Sequence, residues 1–325
     1  MRTLAGPRPG SWSRSGPAVV AIGGGRGLAT TLRAARGYAS QVTGVVSTAD
    51  DGGSTGRLRA SMNLPATGDL RRCLAAMAGV ESEPLGKALE FRFSGTELEG
   101  HALGNLILAS LATVTGDFLT ATQEMARLVG LDTRSWQVLP ATAEVVTLHA
   151  VTLDGRDIHG QYAVSKTEGI VRVALHPREA KAPLGLAEKI LQADQVVLGP
   201  GSVFTSILAA ALVDDLRQAL NDTSAEIVYV CNLEPEAAET QGFDVAAHVY
   251  ALRTHGVRPD VVLVHEGGQL PIGTVQADVV LADLVASTAD THDSDKLCAA
   301  LASLAERQEC GGTLPTENEI AEVPG

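Results

Sequence analysis

The sequence predicts an α/β fold: an open, mostly parallel, Rossmann-like sheet with helices on both faces and a small antiparallel β insertion. Three observations carry this expectation. "AVVAI" (18–22) is a short apolar run closed by glycines, the pattern of a fully buried strand. A helical repeat, "LATTLRAAR" (28–36), and a second β-branched run, "VTGVVST" (42–48), follow at once, making a βαβ unit that requires parallel pairing. The same alternation of strand and helix resumes in the second half of the chain.

Between these halves, helices are predicted at "DLRRCLAAMA" (69–78), "GNLILASLATV" (104–114) and "DFLTATQEMARLV" (117–129). From 138 to 175 the pattern changes. "VVTLHAVTL", "DIHGQYAVS" and "IVRVAL" alternate or carry β-branched residues between turn signals, so an antiparallel insertion is expected there. "LGLAEKILQA" then reads as a helix, "QVVLG" as a strand, "VFTSILAAALV" as a helix and "EIVYVC" as a strand. "DVAAHVYALRTHG" is a helix with a glycine stop and "DVVLVHEG" a strand. "DSDKLCAALASLAERQ" is a late helix capped by Asp293 or Ser294. Residues 1–17, rich in Pro, Gly and Ser, and the acidic residues 307–325 read as flexible tails around one domain, 18–306.

Composition narrows the function. At 45% hydrophobic and 19% charged residues the chain can build a large core and is not globally disordered. Aromatics at 3% argue against base stacking on single strands, and a net charge of −13 argues against a general nucleic-acid binder. Four scattered cysteines form no CxxC, and the eight histidines have no metal-ligand spacing, so no zinc is expected. Cys73 and Cys231 read as small buried apolar residues. No apolar run approaches the ~20 residues of a membrane span, and the N-terminus has no signal-peptide apolar core. A cytoplasmic protein is expected.

Against this acidic background one segment is basic. Between Arg26 and Arg72 lie seven arginines and three aspartates, a local net of +4. Arginine forks onto phosphate oxygens. Arg33 and Arg36 are read as decorating a helix, leaving Arg26, Arg57, Arg59, Arg71 and Arg72.

The arginines accompany five loops that each feed a helix. "GGGRGLATT" (23–31) follows the first strand and lets backbone N–H groups of Gly23, Gly24, Gly25, Arg26 and Gly27 approach a phosphate. It is no Walker loop, and Leu28 stands where a dinucleotide fingerprint has its third glycine. "ADDGGSTGR" (49–57) ends the second strand. There Asp50 and Asp51 are placed to hold ribose hydroxyls, Gly52, Gly53, Ser54 and Thr55 to form a second concavity of donors, and Arg57 and Arg59 to supply charge. Carboxylates beside phosphate repel it unless they face sugar hydroxyls, a metal ion or arginines.

"PATGDLRRCL" contributes Gly68 and Asp69, with Thr67 or Asp69 as a cap, and puts Arg71 and Arg72 in a first helical turn, where cations oppose the dipole. "GHALGN" (100–105) contributes Asn105. Its His101 is either a ligand contact or a general acid, and taken alone reads as a satisfied structural histidine. "LGPGSVFTSIL" repeats the glycine-loop device with Gly199, Gly201, Ser202, Thr205 and Ser206, and Asn232 closes the next strand. In an open parallel sheet these strand ends share one edge, where ligands bind. Such an edge describes a phosphate-and-sugar cleft.

"VVAIGGGRGLATTLRAAR", "VVSTADDGGSTGRLR", "LPATGDLRRCLAAMA", "GHALGNLILASL" and "VVLGPGSVFTSIL", in this order from about residue 18 to 265, resemble the YvcK family of bacterial gluconeogenesis factors. That family is related to the CofD-type phospholactate transferases of deazaflavin-cofactor biosynthesis. The resemblance implies a cytoplasmic UDP-sugar-binding protein linked to cell shape and envelope synthesis on gluconeogenic carbon, with no firm catalytic activity. It also implies a cleft made of Gly23–Gly27, Asp50–Arg57, Gly68–Arg72, Asn105, Gly199–Ser206 and Asn232. After that asparagine the family has a Thr-Gln-Pro-Gly run before Glu-Thr, whereas this chain reads "NLEPEAAET", keeping Asn232, Glu239 and Thr240 around an acidic loop.

The expected function is therefore a regulatory binder of UDP-N-acetylglucosamine or UDP-glucose, with no firm cofactor, no nucleic acid, no membrane insertion and room for a homo-oligomer. The first alternative is a CofD-like transferase using magnesium at Asp50 or Asp51. The second is an NAD-binding protein.

Overall fold

A computed structural model describes residues 2–3, 16–235, 238–286 and 291–309. Its strands are β1 (Arg2–Thr3), β2 (Ala18–Gly23), β3 (Gln41–Val46), β4 (Trp136–Pro140), β5 (Thr147–Thr152), β6 (Asp157–His159), β7 (Ile170–His176), β8 (Gln195–Leu198), β9 (Glu226–Val230), β10 (Val261–His265) and β11 (Asp278–Ala282). The helices before the insertion are α1 (Gly25–Arg36), α2 (Gly53–Met62), α3 (Gly68–Ala78), α4 (Pro84–Glu90), α5 (Leu103–Thr115) and α6 (Phe118–Leu128). After them come α7 (Gln161–Val164), α8 (Leu186–Leu191), a π-helical turn (Val203–Leu208) running into α9 (Ala209–Ala211), α10 (Asp214–Asp222), α11 (Val245–Thr254) and α12 (Ser294–Glu309).

The main sheet runs β4-β3-β2-β8-β9-β10-β11-β1, every described pair parallel. The chain works outward from β2 to β4, then returns to β8 beside β2 and works outward the other way. The order thus reverses between β2 and β8, the place where open α/β sheets bind ligands. Consecutive strand residues separate into two apolar clusters, as a period of two demands. Val20, Ile22, Val196 and Leu198 join Leu186, Leu216 and Leu252 from α8, α10 and α11. Val19, Ala21 and Val197 join Leu28, Leu32, Leu70, Leu74 and Leu301 from α1, α3 and α12. Each such Leu or Val contributes roughly 1.5–3 kcal/mol by its burial. Cys73 and Cys231 are buried, as their apolar surroundings in the sequence suggest.

Three boundaries differ from the sequence expectation. Trp136–Pro140 pairs parallel with β3 rather than opening the antiparallel insertion, which is the separate sheet β6-β5-β7. Helix α1 starts at Gly25, so Gly25, Arg26 and Gly27 form its first turn rather than a free loop. Gly53, Ser54 and Thr55, read as part of a concavity of loop donors, instead open helix α2. The late helix has its expected cap: Asp293 Oδ1 accepts Asp295 N at 2.9 Å and Lys296 N at 3.0 Å. Of the expected tails, residue 1 and residues 4–15 and 310–325 lie outside the described residues, while Arg2–Thr3 pair with β11 and α12 runs through Glu309. Among the described residues no helix is long and apolar enough to cross a membrane.

Candidate functional site

Glycine lets the β2 and β8 corners touch. A Cβ on Gly23 would lie 3.9 Å from Gly199 Cα, and one on Gly27 would overlap the Pro200 carbonyl, with its carbon 2.6 Å away. Thr31 Oγ1, one turn along α1, donates to Gly199 O at 2.5 Å and locks the two corners together. Gly201 N donates to Asn232 Oδ1 at 3.0 Å, which ties in the end of β9.

A cavity of about 350 Å³ opens at this junction, lined by Arg26, Gly27, Thr30, Gly201, Asn232 and His292 among others. A neighbouring one of about 360 Å³ shares Arg26, Thr30 and His292 and adds Arg33 and Arg72. Asn232 is 7% exposed, yet its Nδ2 has no hydrogen-bond partner among the described residues. A buried amide donor left open costs about 1–3 kcal/mol, so it is a group awaiting an acceptor. His292 was missed by sequence reasoning because no motif surrounds it. Burial pushes its imidazole down to about 4, and one ring nitrogen lies 3.2 Å from Cys231 O, so it is neutral near pH 7.

Beside this junction lies the segment 50–57. Helix α2 has Gly52 as its N-cap, no side-chain cap bond and no acid in its first turn, so its first N–H groups are open to an anion. Asp50 Oδ1 accepts Gly52 N at 3.0 Å. Burial, with Asp69 and Asp51 adding repulsion against the lowering hydrogen bonds of Gly52 and Thr55, raises the Asp50 carboxyl above its ordinary range. Asp51 is drawn away to the insertion, where its Oδ1 accepts Tyr162 N at 2.8 Å. Gly68 keeps the space between Thr55, Asp50 and Asn105 open: a Cβ there would sit 2.8 Å from Thr55 Oγ1 and 3.7 Å from Asp50 Oδ2. Asp69 reaches toward the first corner, since a Cβ on Gly24 would lie 2.8 Å from its Oδ2 and 3.5 Å from Ser206 Oγ.

The arginines divide. Arg26 is exposed on the first turn of α1 and lines both cavities. Arg57 is exposed and gives one bond, Nη2 to Glu99 O at 2.6 Å. Arg72 pairs with Asp69 at 2.9 Å, which resolves its opposition to the α3 dipole. Arg59 and Arg71, in contrast, are structural. Arg59 donates to the carbonyls of Ala49 (2.9 Å), Asp50 (2.8 Å) and Val146 (2.5 Å), pinning the strand end. Arg71 is buried and donates to Asn105 Oδ1 at 2.9 Å and Glu90 Oε2 at 2.7 Å. Arg33 bridges Glu81 and Arg36 reaches Ala76 O, the decorating roles expected of them. Thr67 stands at the N-cap of α3, as one of the two expected candidates, but makes no side-chain cap bond, and its Oγ1 has no partner among the described residues.

The loop after β8 is already filled. Glu239, 3% exposed, accepts Phe204 N at 2.8 Å and Thr205 N at 3.2 Å with Oε1, and Thr205 Oγ1 at 2.8 Å with Oε2. Ser202 Oγ donates to the same carboxylate and accepts Thr205 N at 3.1 Å. Ser202 and Thr205 therefore hold Glu239, whereas Gly201 lines the cavity. Among the described residues no three His, Cys, Asp or Glu side chains gather in a way that would hold a metal ion.

The family profile "2-phospho-L-lactate transferase CofD" matches residues 19–302. A putative gluconeogenesis factor from Nostoc is 40% identical over 256 residues, which are 77% of this chain and 55% of that one, so the chain spans about half of that relative. One from Mycobacterium tuberculosis is 39% identical over 328 residues, 94% of this chain and 95% of that one. Among solved structures, a UPF0052-family protein from Bacillus halodurans superimposes with a TM-score of 0.80 at 32% identity, covering 87% of this chain and 97% of that one.

Proposed function

Since the chain belongs to the gluconeogenesis factor (UPF0052) family, related to CofD, we propose that it is a regulatory protein that binds UDP-N-acetylglucosamine or UDP-glucose. The observation that carries the reading is the cavity at the reversal of strand order. It has a glycine-edged helix start, an uncommitted arginine and the open Nδ2 of Asn232 on its walls. These are donors for phosphate and for a ring carbonyl or hydroxyl, and the strand order supports a Rossmann-like placement of the nucleotide. Asp50, half-buried beside Gly68, supplies an acceptor for sugar hydroxyls. A cytoplasmic location goes with this ligand.

Calorimetric titration with UDP-N-acetylglucosamine, UDP-glucose, GDP and NAD, each with and without magnesium, tests it. A uridine diphosphate sugar should bind, and at one hundred times its Kd should stabilise the fold by about 2.7 kcal/mol. Heat from NAD and none from any uridine nucleotide overturns the reading.

A CofD-like transferase is the second reading, favoured by the profile match over residues 19–302. Asp50, with phosphate oxygens and waters, is the donor set a magnesium ion would find there, because Asp51 is engaged by Tyr162 N. Bound magnesium would supply charge neutralisation at a transferring phosphate. Chelation that sharply weakens nucleotide binding would favour this reading; unchanged binding favours the sensor.

A further inference from the structure

Four polar side chains and one imidazole form a hydrogen-bonded chain, and its direction is set from Arg71 as far as Ser54. Arg71 has only donors, so the atom of Asn105 facing its Nη1 at 2.9 Å must be Oδ1. Arg71 is itself anchored by Glu90 Oε2 at 2.7 Å. The Asn105 amide then turns Nδ2 toward Ser54 Oγ, 3.2 Å away. Ser54 Oγ in turn lies 3.1 Å from His101 Nδ1. A neutral ring that accepts the Ser54 proton at Nδ1 carries its own proton on Nε2. Burial, and secondarily Arg57, lower the His101 pKa, which favours the neutral ring.

Nε2 has no protein partner among the described residues. The loop that carries it is fastened by three carbonyls: Glu99 O accepts Arg57, Gly100 O accepts Arg92 at 3.0 Å, and His101 O accepts Phe93 N at 3.1 Å. A satisfied structural histidine has no need of an aimed, open donor. Here buried Arg71, Asn105 and Ser54 are all committed to orienting one. Ser54 lies in the first turn of α2, next to Thr55, which with Asp50 and Asn105 surrounds Gly68, so the relay runs along the wall made by the segment 50–57.

We propose that His101 is a ligand-positioning residue whose Nε2–H donates to an acceptor oxygen on the diphosphate–sugar end of the bound nucleotide. This rests on the UDP-sugar reading above and names a specificity contact within it.

The test titrates UDP-N-acetylglucosamine and UDP into the wild type, His101→Phe, His101→Gln and Ser54→Ala, with ¹⁵N NMR of the His101 ring in the free protein. His101→Phe should weaken UDP-N-acetylglucosamine at least tenfold. His101→Gln, which keeps a donor near the Nε2 position, should stay within threefold. The same loss with UDP places the contact at phosphate; a loss confined to the sugar nucleotide places it at the sugar. The wild-type ring should read as Nε2–H, and Ser54→Ala should raise its pKa by removing the donor to Nδ1. Normal binding by His101→Phe in a protein whose wild type binds overturns the contact. An Nδ1–H ring overturns the relay. A wild type that binds no uridine nucleotide sinks the parent reading, and the contact falls with it.

Discussion

Helix α1 and the π-helical turn at Val203 start side by side at the carboxyl edge of the sheet, and both follow a strand and a glycine corner. Their N-termini are finished in opposite ways. The first has Gly24 as its N-cap, no side-chain cap bond and no acid in its first turn. The second has Ser202 as a cap and a buried carboxylate, Glu239, spread across two N–H groups and two hydroxyls. A helix N-terminus attracts an anion in either case. One has been given its anion by the chain, and the other leaves the place open beside a cavity. The contrast favours α1 over the β8 corner as the place for the proposed ligand's phosphate, and it makes the β8 corner a rigid wall.

Removing the internal anion is the most direct way to break this comparison. Glu239→Ala strips acceptors from Phe204 N, Thr205 N, Ser202 and Thr205 together, and several buried donors are left unmet. A loss of about 2–4 kcal/mol is expected in urea unfolding. The same variant should take up inorganic phosphate at the vacated N-terminus, recovering part of that loss as phosphate is added. The opposite wall is broken by bulk. Gly27→Ala puts a methyl into the Pro200 carbonyl, which should cost about 1–3 kcal/mol as the corners separate. Calorimetry should show UDP-sugar binding weakened at least tenfold, since the cavity spans both corners.

The open corner was legible from sequence and the closed one only half so. Apolar runs bounded by glycine gave β2, β3 and β8, and with them the shared edge, because buried parallel strands announce themselves by continuous hydrophobicity. Ser202 and Thr205 were read as ligand contacts, since a hydroxyl beside a glycine corner looks the same whether its partner is a phosphate or Glu239, 37 residues away. Helix α2 was invisible for another reason. Of its ten residues only Ser54, Thr55 and Leu58 are buried, so it shows no apolar stripe, and its two glycines speak against a helix. The expected insertion, from 138, took in the last three residues of Trp136–Pro140, because a half-buried edge strand alternates just as an antiparallel one does. His292 came from a part of the chain with no motif at all.

Two arginines two residues apart sharpen the comparison at α2. Arg59 satisfies three carbonyls that hold the strand end, and Arg57 sits in solvent with one. Arg59→Ala should cost about 1–3 kcal/mol of stability by leaving those carbonyls unmet. Arg57→Ala should stay within about 0.5 kcal/mol, as exposed substitutions do. Paired denaturation curves check both. Equal losses would mean that the segment is held by charge rather than by the Arg59 clamp.

The smallest expected effect is also of opposite sign. Glu239 is a carboxylate supplied with donors, whereas Asp50 is half-buried near two others, and its carboxyl is raised by desolvation and by Asp69. For an acid whose folded pKa exceeds the unfolded one, the folded state binds more protons between the two values, so stability falls as pH rises through that window. Asp50→Asn removes the partly desolvated charge and keeps an oxygen for Gly52 N. It should therefore raise the melting temperature slightly at pH 7 and leave it unchanged at pH 3, where both forms are neutral. UDP-sugar affinity should drop by a modest factor at pH 7, since the amide keeps one acceptor. A melting temperature that falls at pH 7 would mean that Asp50 is held as firmly as Glu239, and the contrast between a carboxylate kept for the fold and one kept for the ligand would fail.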